Sequence, residues 1–264
     1  MDGFSGSVQS RERIIAACVS APTIGGVEFG NKVLALDGHT AVKVGTGVTI
    51  EEARNQVFAY NSFHASFHVP KVFDFFENYI SGIRFGYLVM ERIHGRSLAD
   101  IGLKECGENV LDQVALAIMR MGKETVSRPG PIGGGRGTGF PWGDETLEYE
   151  LYSVEDLQEC VDRRLRRKGV KLAVTSAQLV ISHGDLQRRN MIRCQDESLC
   201  IVDWATAGAC ASYREISAIK YQRDTDPEYF DGLLSNLRAR SAFKDWEEED
   251  AERLLDVQYG SLKD

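Results

Sequence analysis

The sequence predicts an α+β protein with two lobes, a small antiparallel sheet lobe followed by a mainly helical lobe. The first observation is a hairpin signal, because an Asp-Gly pair at residues 37–38 separates two β-prone runs at 32–36 and 40–44. The second is a change near residue 93, where helical spacing of apolar residues replaces extended runs. We expect two lobes that together form one domain, over residues 1–93 and 94–264.

The composition is that of a globular protein whose core needs no disulfide or metal. The chain has 264 residues, of which 43% are hydrophobic and 27% are charged. Lys and Arg number 31 and Asp and Glu number 39, so the formal net charge is −8. An acidic chain lacks the basic surface that general nucleic-acid binding requires, so no nucleic-acid partner is predicted.

The cysteines and the apolar runs favour a cytoplasmic location. Six cysteines are scattered without a Cys-x-x-Cys pair, which favours reduced thiols. No apolar run reaches about 18 residues, so neither a membrane-spanning helix nor a membrane partner is predicted. The first residues lack the basic and apolar regions of a signal peptide.

In the first lobe, a helix is predicted to follow the hairpin. Thr49 and Glu52 have the spacing of a capping box, and Ala53, Val57 and Tyr60 would share one face. Two further strands are predicted, over residues 71–76 and 85–93.

In the second lobe, helical spacing is present over residues 109–126. A capping box of Ser153 and Asp156 opens a helix over 154–168 that Gly169 can end. Short apolar strands are predicted at 179–182 and 199–202, and the tail from Tyr213 is predicted to be helical. A glycine-rich run at 129–139 is interpreted as a linker in preference to a mobile loop near a substrate.

The chemistry-bearing residues cluster around the two short strands of the second lobe. Asp185 and Asn190 lie five positions apart in the loop between them, and Asp203 follows the second strand. Two carboxylates and one amide can converge there, and such oxygen ligands suit Mg²⁺. A remaining carboxylate can orient a hydroxyl group and accept its proton.

A second part of the pattern lies in the first lobe. Lys43 is on a predicted strand and Glu52 follows nine residues later on the predicted helix. A lysine anchored by a helical glutamate can hold nucleotide phosphates. Glu52 also has a competing role in the capping box, with Glu51 as the alternative partner of the lysine. The strand at 87–93 would link the lobes and offer backbone groups to an adenine.

These motifs carry a family resemblance. His-Gly-Asp-Leu-x-x-x-Asn stands at 183–190, Val-Asp-Trp at 202–204 and a hinge-like run at 88–98. Over about residues 32–221 the chain resembles the aminoglycoside phosphotransferase and choline kinase-like family, relatives of the protein kinases. The resemblance implies a two-lobed protein kinase-like fold that uses ATP and Mg²⁺. It also implies residue roles: Asp185 as catalytic base, Asn190 and Asp203 as magnesium ligands, Lys43 on the nucleotide phosphates, Glu52 positioning Lys43, backbone groups of Glu91 and Ile93 on adenine, and His183 supporting the loop.

The expected reaction is transfer of the γ-phosphoryl group of ATP to a hydroxyl of a small molecule, and the acidic balance leaves a cationic acceptor open. Two alternatives remain. A catalytically silent kinase-like binding protein is favoured by the candidate nucleotide loop at residues 24–31, which is not a regular Gly-x-Gly-x-x-Gly. A metal hydrolase would use His183, Asp185 and Asp203, but the sequence offers it no further paired ligands. The sequence does not determine the oligomeric state.

Overall fold

The computed structural model describes residues 8–26, 30–106, 109–141, 147–174 and 179–259. Within these ranges, the elements of the first lobe are α1 (Val8–Cys18), β1 (Thr23–Gly26), β2 (Lys32–Ala35), β3 (Thr40–Gly45), α2 (Ile50–Phe63), β4 (Val72–Ile80) and β5 (Ile83–Glu91). The five strands form an antiparallel sheet in the order β1-β2-β3-β5-β4, with two helices against it.

The predicted hairpin is confirmed. Asp37 Oδ1 accepts hydrogen bonds from the backbone N–H groups of His39 and Thr40, each at 2.7 Å, which is how an Asp side chain stabilises a turn. Strands β2 and β3 then pair in antiparallel register. Strand β3 also pairs with β5, so Lys43 is carried by an inner strand.

Helix α1 covers one face of this sheet and was not predicted from the sequence. Ile14 and Ile15 pack with Phe76 and other buried residues of the sheet. Arg11 forms a two-point ion pair with Asp74, with Nε to Oδ2 and Nη2 to Oδ1 each at 2.9 Å. The contacts of the helix with the sheet thus come from a few partly buried apolar side chains, which include Cys18, and from Arg11, a pattern too weak to recognise in a short segment.

The second lobe combines helices with two small sheets. The elements are β6 (Gly95–Ser97), α3 (Val110–Met121), α4 (Val154–Leu165), β7 (Leu179–Ser182), β8 (Met191–Cys194), β9 (Leu199–Ile201), β10 (Gly208–Ala211), α5 (Arg214–Gln222), α6 (Pro227–Ala239) and α7 (Asp245–Tyr259). Strands β6, β8 and β9 form one sheet, and β7 pairs with β10 in the other. The Ser153–Asp156 capping box is present, and α4 continues into a 3₁₀ turn that ends at Gly169, as predicted. None of the helices in the described ranges has the length and apolar character needed to span a membrane.

Helix α2 contributes to the cores of both lobes. Ala53 packs in a core cluster of the sheet, whereas Phe63 packs in the large core of the second lobe and stacks with Trp204 at 6.4 Å between ring centroids. Asn55 lies between Ala53 and Phe63 along the helix and is buried. Its Nδ2 donates to the carbonyl groups of Trp204 at 3.0 Å and Ala207 at 2.8 Å. This helix therefore fixes the position of the segment that follows β9.

The glycine-rich run is part of the fold, and its interpretation as a linker is wrong. Gly130 and Ala209 exchange backbone hydrogen bonds of 2.9 and 2.8 Å, and Thr138 Oγ1 donates to the Ala205 carbonyl group at 3.3 Å. Gly135 has a φ of 107°, and a Cβ there would overlap the side chain of Glu51. Glycine is required because the backbone itself packs against α2, a use that composition alone does not distinguish from flexibility.

Candidate active site

Lys43, Glu52 and Asp203 meet where the two lobes face each other. Lys43 Nζ lies 2.6 Å from Glu52 Oε1 and 2.9 Å from Asp203 Oδ1. Strand β3 supplies the lysine, the first turn of α2 supplies the glutamate, and the aspartate follows β9. One ammonium group therefore joins a carboxylate from each lobe.

The structure brings Glu52 to Lys43 and directs Glu51 elsewhere. Thr49 Oγ1 accepts the Glu52 backbone N–H at 3.3 Å, so the helix is capped from one side of the expected box. The Glu52 carboxylate bonds to Lys43, and the residue is only 1% exposed. Its Oε2 is buried without a hydrogen-bond partner in the described part of the chain. Glu51 lies against Gly135.

Burial and charge act in opposite directions on these three groups. Burial would lower the pKa of Lys43, but attraction to Glu52 and Asp203 outweighs it and raises the pKa of Lys43 above its ordinary value. Burial raises the pKa of Glu52 to about 7, because Lys43 only partly offsets it. Burial opposes ionisation of Asp203 too, but the attraction and the hydrogen bond of Lys43 outweigh burial and lower the pKa of Asp203. The lysine is thus firmly charged, and Glu52 is the harder carboxyl group to ionise.

His183 supports the loop that carries Asp185. Its Nε2 lies 3.1 Å from the Val202 carbonyl oxygen, which can only accept, so Nε2 carries the proton. Its Nδ1 then accepts the Asp185 backbone N–H at 3.3 Å. Glu215 is buried and accepts the backbone N–H groups of His183 and Gly184. A neutral histidine and a buried carboxylate therefore fix the backbone before Asp185.

The Asp185 carboxylate is held by three donors. Its Oδ2 accepts from Asn190 Nδ2 at 2.8 Å and from Arg189 Nη2 at 2.9 Å, and its Oδ1 accepts from Gln222 Nε2 at 2.9 Å. Such hydrogen bonds to an ionised group are stronger than neutral ones. The Asp185 side chain is still 18% exposed. It is therefore a fixed carboxylate that a ligand can reach.

The two arginines of the loop have different roles, which the sequence left open. Arg188 donates to the carbonyl groups of Leu98 and Ile101 and pairs with Asp226 at 2.6 Å, so it anchors the loop to the fold. Arg189 has a side chain that is 57% exposed, and it pairs with Asp185.

Asp203 has a backbone conformation that is rare for a residue other than glycine. Its φ is 64° and its ψ is 68°, in the left-handed region. The turn that follows is fixed by Thr206 Oγ1, which donates to the His183 carbonyl group at 2.8 Å. Such strain persists only where the surroundings impose it, and it concentrates at functional sites.

The hinge after β5 presents a restricted set of backbone groups. The Glu91 N–H donates to the Lys71 carbonyl group at 2.8 Å, so the Glu91 backbone has only its carbonyl oxygen left for a ligand. The Glu91 carboxylate accepts the Lys71 N–H at 3.1 Å. The Ile93 backbone makes no hydrogen bond within the described ranges.

Of the candidate nucleotide loop, Val27, Glu28 and Phe29 lie outside the described residues.

The sequence model of the phosphotransferase enzyme family matches residues 26–246. The chain belongs to that family. A solved thermostable mutant of aminoglycoside phosphotransferase APH(4)-Ia, in a ternary complex with ADP and hygromycin B, has a TM-score of 0.51 at 14% identity, covering 96% of this chain and 99% of that one. ADP-bound APH(2'')-Ib has a TM-score of 0.50 at 11% identity, covering 98% and 93%. The chain has no match among the curated proteins.

These similarities confirm two predictions. The solved neighbours have the predicted two-lobed protein kinase-like fold. Membership of the phosphotransferase family confirms the predicted enzyme class, a small-molecule kinase.

The predicted magnesium ligands of this phosphotransferase are chemically suited to the ion. Asn190 and Asp203 offer amide and carboxylate oxygens, the hard donors that Mg²⁺ prefers. Asn190 directs Nδ2 to Asp185, and no described residue donates to its Oδ1. Asp203 uses Oδ1 on Lys43. The described residues contain no group of three His, Cys, Asp or Glu side chains that could hold a different metal.

A cysteine with an unusual pKa lies next to the hinge of the phosphotransferase. Cys194 pairs in register with Gly95, at the start of β6. Hydrogen bonds with the Cys200 thiol and the Ser198 hydroxyl, together with His68, lower the pKa of Cys194 to about 6 against the effect of burial. At neutral pH this thiol is therefore mainly a thiolate.

We expect iodoacetamide to alkylate Cys194 with a half-maximal rate near pH 6, because the thiol is protonated below that pH and unreactive. Cys18 is a comparator in the same chain, since burial raises its pKa and delays its reaction to alkaline pH. Peptide mass spectrometry after short pulses from pH 5 to pH 9 measures both rates, with Cys194→Ser as control. Identical midpoints for the two cysteines would contradict the expectation.

Proposed function

We propose that this phosphotransferase moves the γ-phosphoryl group of ATP to a hydroxyl group of a small molecule, with Asp185 as the base. The observation that carries the proposal is the contact of Lys43 with Glu52 and Asp203, which joins the two lobes at one point. Phosphoryl transfer requires little covalent chemistry from a protein, so positioning and charge neutralisation supply most of the catalysis.

Lys43 is the residue that holds the phosphates in this proposal. Its ammonium group is fixed by a buried carboxylate, and its raised pKa keeps it charged across the physiological range. Phosphate oxygens that approach Asp203 meet the same ammonium group. Asn190 and Asp203 would hold Mg²⁺, which when bound neutralises charge on the phosphates.

Asp185 orients the acceptor hydroxyl and takes its proton as the new bond to phosphorus forms. Its carboxylate is fixed on both oxygens and remains accessible, as a base requires. At the other end of the nucleotide, the Glu91 carbonyl group and the Ile93 backbone would bind the adenine edge.

The acceptor in this proposal is a small hydroxyl-bearing molecule. The net charge of −8 favours a cationic acceptor, because a negative field concentrates cations near the protein. In one solved structure, a thermostable mutant of the relative APH(4)-Ia is in a ternary complex with ADP and hygromycin B. Aminoglycosides are therefore the first class in an acceptor screen.

The first experiment is calorimetric titration of the full chain with ATP, with and without Mg²⁺. We expect binding that depends on Mg²⁺ and is at least about tenfold weaker in Asp203→Ala, because the variant removes one ion ligand and one partner of Lys43. Absence of ATP binding by the unaltered protein would contradict the proposal. Binding without phosphorylation of any acceptor would favour the catalytically silent alternative.

A further inference from the structure

Gln222, the last residue of α5, contacts the carboxylate of Asp185 from the opposite side to Asn190. Its Nε2 donates to Asp185 Oδ1 at 2.9 Å, and the residue is only 8% exposed. Its Oε1 is buried and has no hydrogen-bond partner in the described part of the chain. No motif in the sequence singles out this residue.

The chemistry of the contact fixes the orientation of the amide group. A carboxylate can only accept hydrogen bonds, so Nε2 must face Asp185 and Oε1 must face away. The orphaned oxygen is therefore a consequence of the bond to Asp185. A methionine at position 222 would fill a similar volume without burying an unpaired oxygen, so the packing of α5 alone does not explain an amide here.

The hydrogen bonds divide the two Asp185 oxygens into different classes. Oδ2 accepts two bonds, from Asn190 and Arg189, which occupy both of its lone-pair directions. Oδ1 accepts one bond, from Gln222, and keeps one direction free. Oδ1 is therefore the oxygen able to accept a further proton.

We propose that Gln222 is a positioning residue, which holds Asp185 so that Oδ1 receives the proton of the acceptor hydroxyl. In that step the acceptor O–H bond breaks and its oxygen bonds to the γ-phosphorus. The bond from phosphorus to the β,γ-bridging oxygen breaks, ADP leaves, and the proton moves to Oδ1. The inference rests on the proposed function for the reaction, whereas the contact itself is testable without turnover.

The test is the replacement Gln222→Met, which retains side-chain length and removes the donor. The ionisable groups that contact Asp185 within the described ranges are Arg189, through its guanidinium group, and His183, through Nδ1, and both are unchanged. Carbon-13 NMR of labelled aspartate at one fixed pH measures the chemical shift of the Asp185 carboxyl carbon, assigned by the loss of its signal in Asp185→Asn. Steady-state release of ADP from Mg·ATP, with water as acceptor, measures turnover.

In Gln222→Met we expect the Asp185 carboxyl signal to move to a different chemical shift at the same pH, because the hydrogen-bond donor to Oδ1 is lost. The rate constant kcat should fall about tenfold with an unchanged KM for ATP, because the base is less well positioned. Gln222→Glu should lower kcat further, because it puts a second carboxyl group next to the first. The split between kcat and KM separates a positioning role from a merely structural one.

Gln113→Met is the matched control, since Gln113 lies on α3 and its amide group donates to the Glu197 carbonyl group and not to Asp185. Its Asp185 signal and its rate should equal those of the unaltered protein. An unmoved Asp185 signal or an unchanged kcat in Gln222→Met would overturn the inference. A moved signal in Gln222→Met, together with no phosphorylation of any acceptor by the unaltered protein, would uphold the contact and instead contradict the proposed function.

Discussion

Replacement of Asp185 by asparagine should lower the rate of phosphoryl transfer by about 10²–10⁴-fold, the usual contribution of a positioned general base. Asparagine has nearly the same size but cannot take the hydroxyl proton. The proposed ATP site lies around Lys43 and Asp203 and does not include Asp185, so binding of Mg·ATP should be nearly unchanged. The measurement pairs steady-state ADP release with calorimetric titration of the nucleotide.

The matched control for this variant is Asp224→Asn, because Asp224 is exposed and lies outside the site. It should retain the full rate. Retention of most of the activity by Asp185→Asn would remove Asp185 from the role of base. Loss of nucleotide binding in that variant would indicate a structural defect in the loop and would contradict the separation of the two functions.

Replacement of Lys43 by methionine should have two large effects. Loss of a fixed cation at the phosphates should lower kcat by about 10²–10³-fold, as removal of one preorganised charge-stabilising donor does. Removal of one partner of a buried ion pair should also lower the free energy of unfolding by about 3–5 kcal/mol, because Glu52 is left buried without its counter-charge. Denaturant unfolding and steady-state kinetics measure the two effects separately.

The loss of stability in Lys43→Met should grow as pH rises. Burial already raises the pKa of Glu52 to about 7, and removal of Lys43 raises it further. Above about pH 4.5 the unfolded chain releases the Glu52 proton, whereas the folded unaltered protein keeps it to about pH 7 and the folded variant keeps it to higher pH. The two proteins therefore lose stability in parallel up to about pH 7, and above that pH the variant continues to lose stability relative to the unaltered protein. Unfolding at pH 5 and pH 8 tests the sign.

The double variant Lys43→Met, Glu52→Gln distinguishes the two effects. A neutral amide replaces the uncompensated carboxyl group, so most of the lost stability should return and the pH dependence of the loss should disappear. Activity should not return, because the phosphates still lack their lysine. A double variant that remains as unstable as the single one would show that the Lys43–Glu52 charge pair does not account for the loss.

The sequence predicts those candidate site residues that belong to a local motif or to a short spacing along the chain. The loop motif locates Asp185 and Asn190, and the spacing from strand to helix locates Lys43 and Glu52. Gln222 and Asn55 were missed, because each bonds to partners between 37 and 152 positions away along the chain. Only the fold reveals such partners.

Helix α2 illustrates why the buried face of an element can be misread. The apolar spacing predicts a face of Ala53, Val57 and Tyr60, yet only Ala53 of these is buried. The buried face also contains polar residues whose partners belong to the candidate active site and to the segments next to the hinge. It consists of Glu52, Ala53, Asn55, Gln56, Ala59 and Phe63. Hydrophobic periodicity cannot detect a face that is half polar because it serves a site.

The shared helix also limits how the molecule can move and unfold. Because α2 is anchored in one core by Ala53 and in the other by Phe63, it connects the two lobes as a single helix packed in both. A wide opening of the cleft would have to withdraw the Phe63 ring from the second core or break the hydrogen bonds of Asn55 to Trp204 and Ala207. Nucleotide exchange must then use small rotations about α2, and heat should melt both lobes in one cooperative transition.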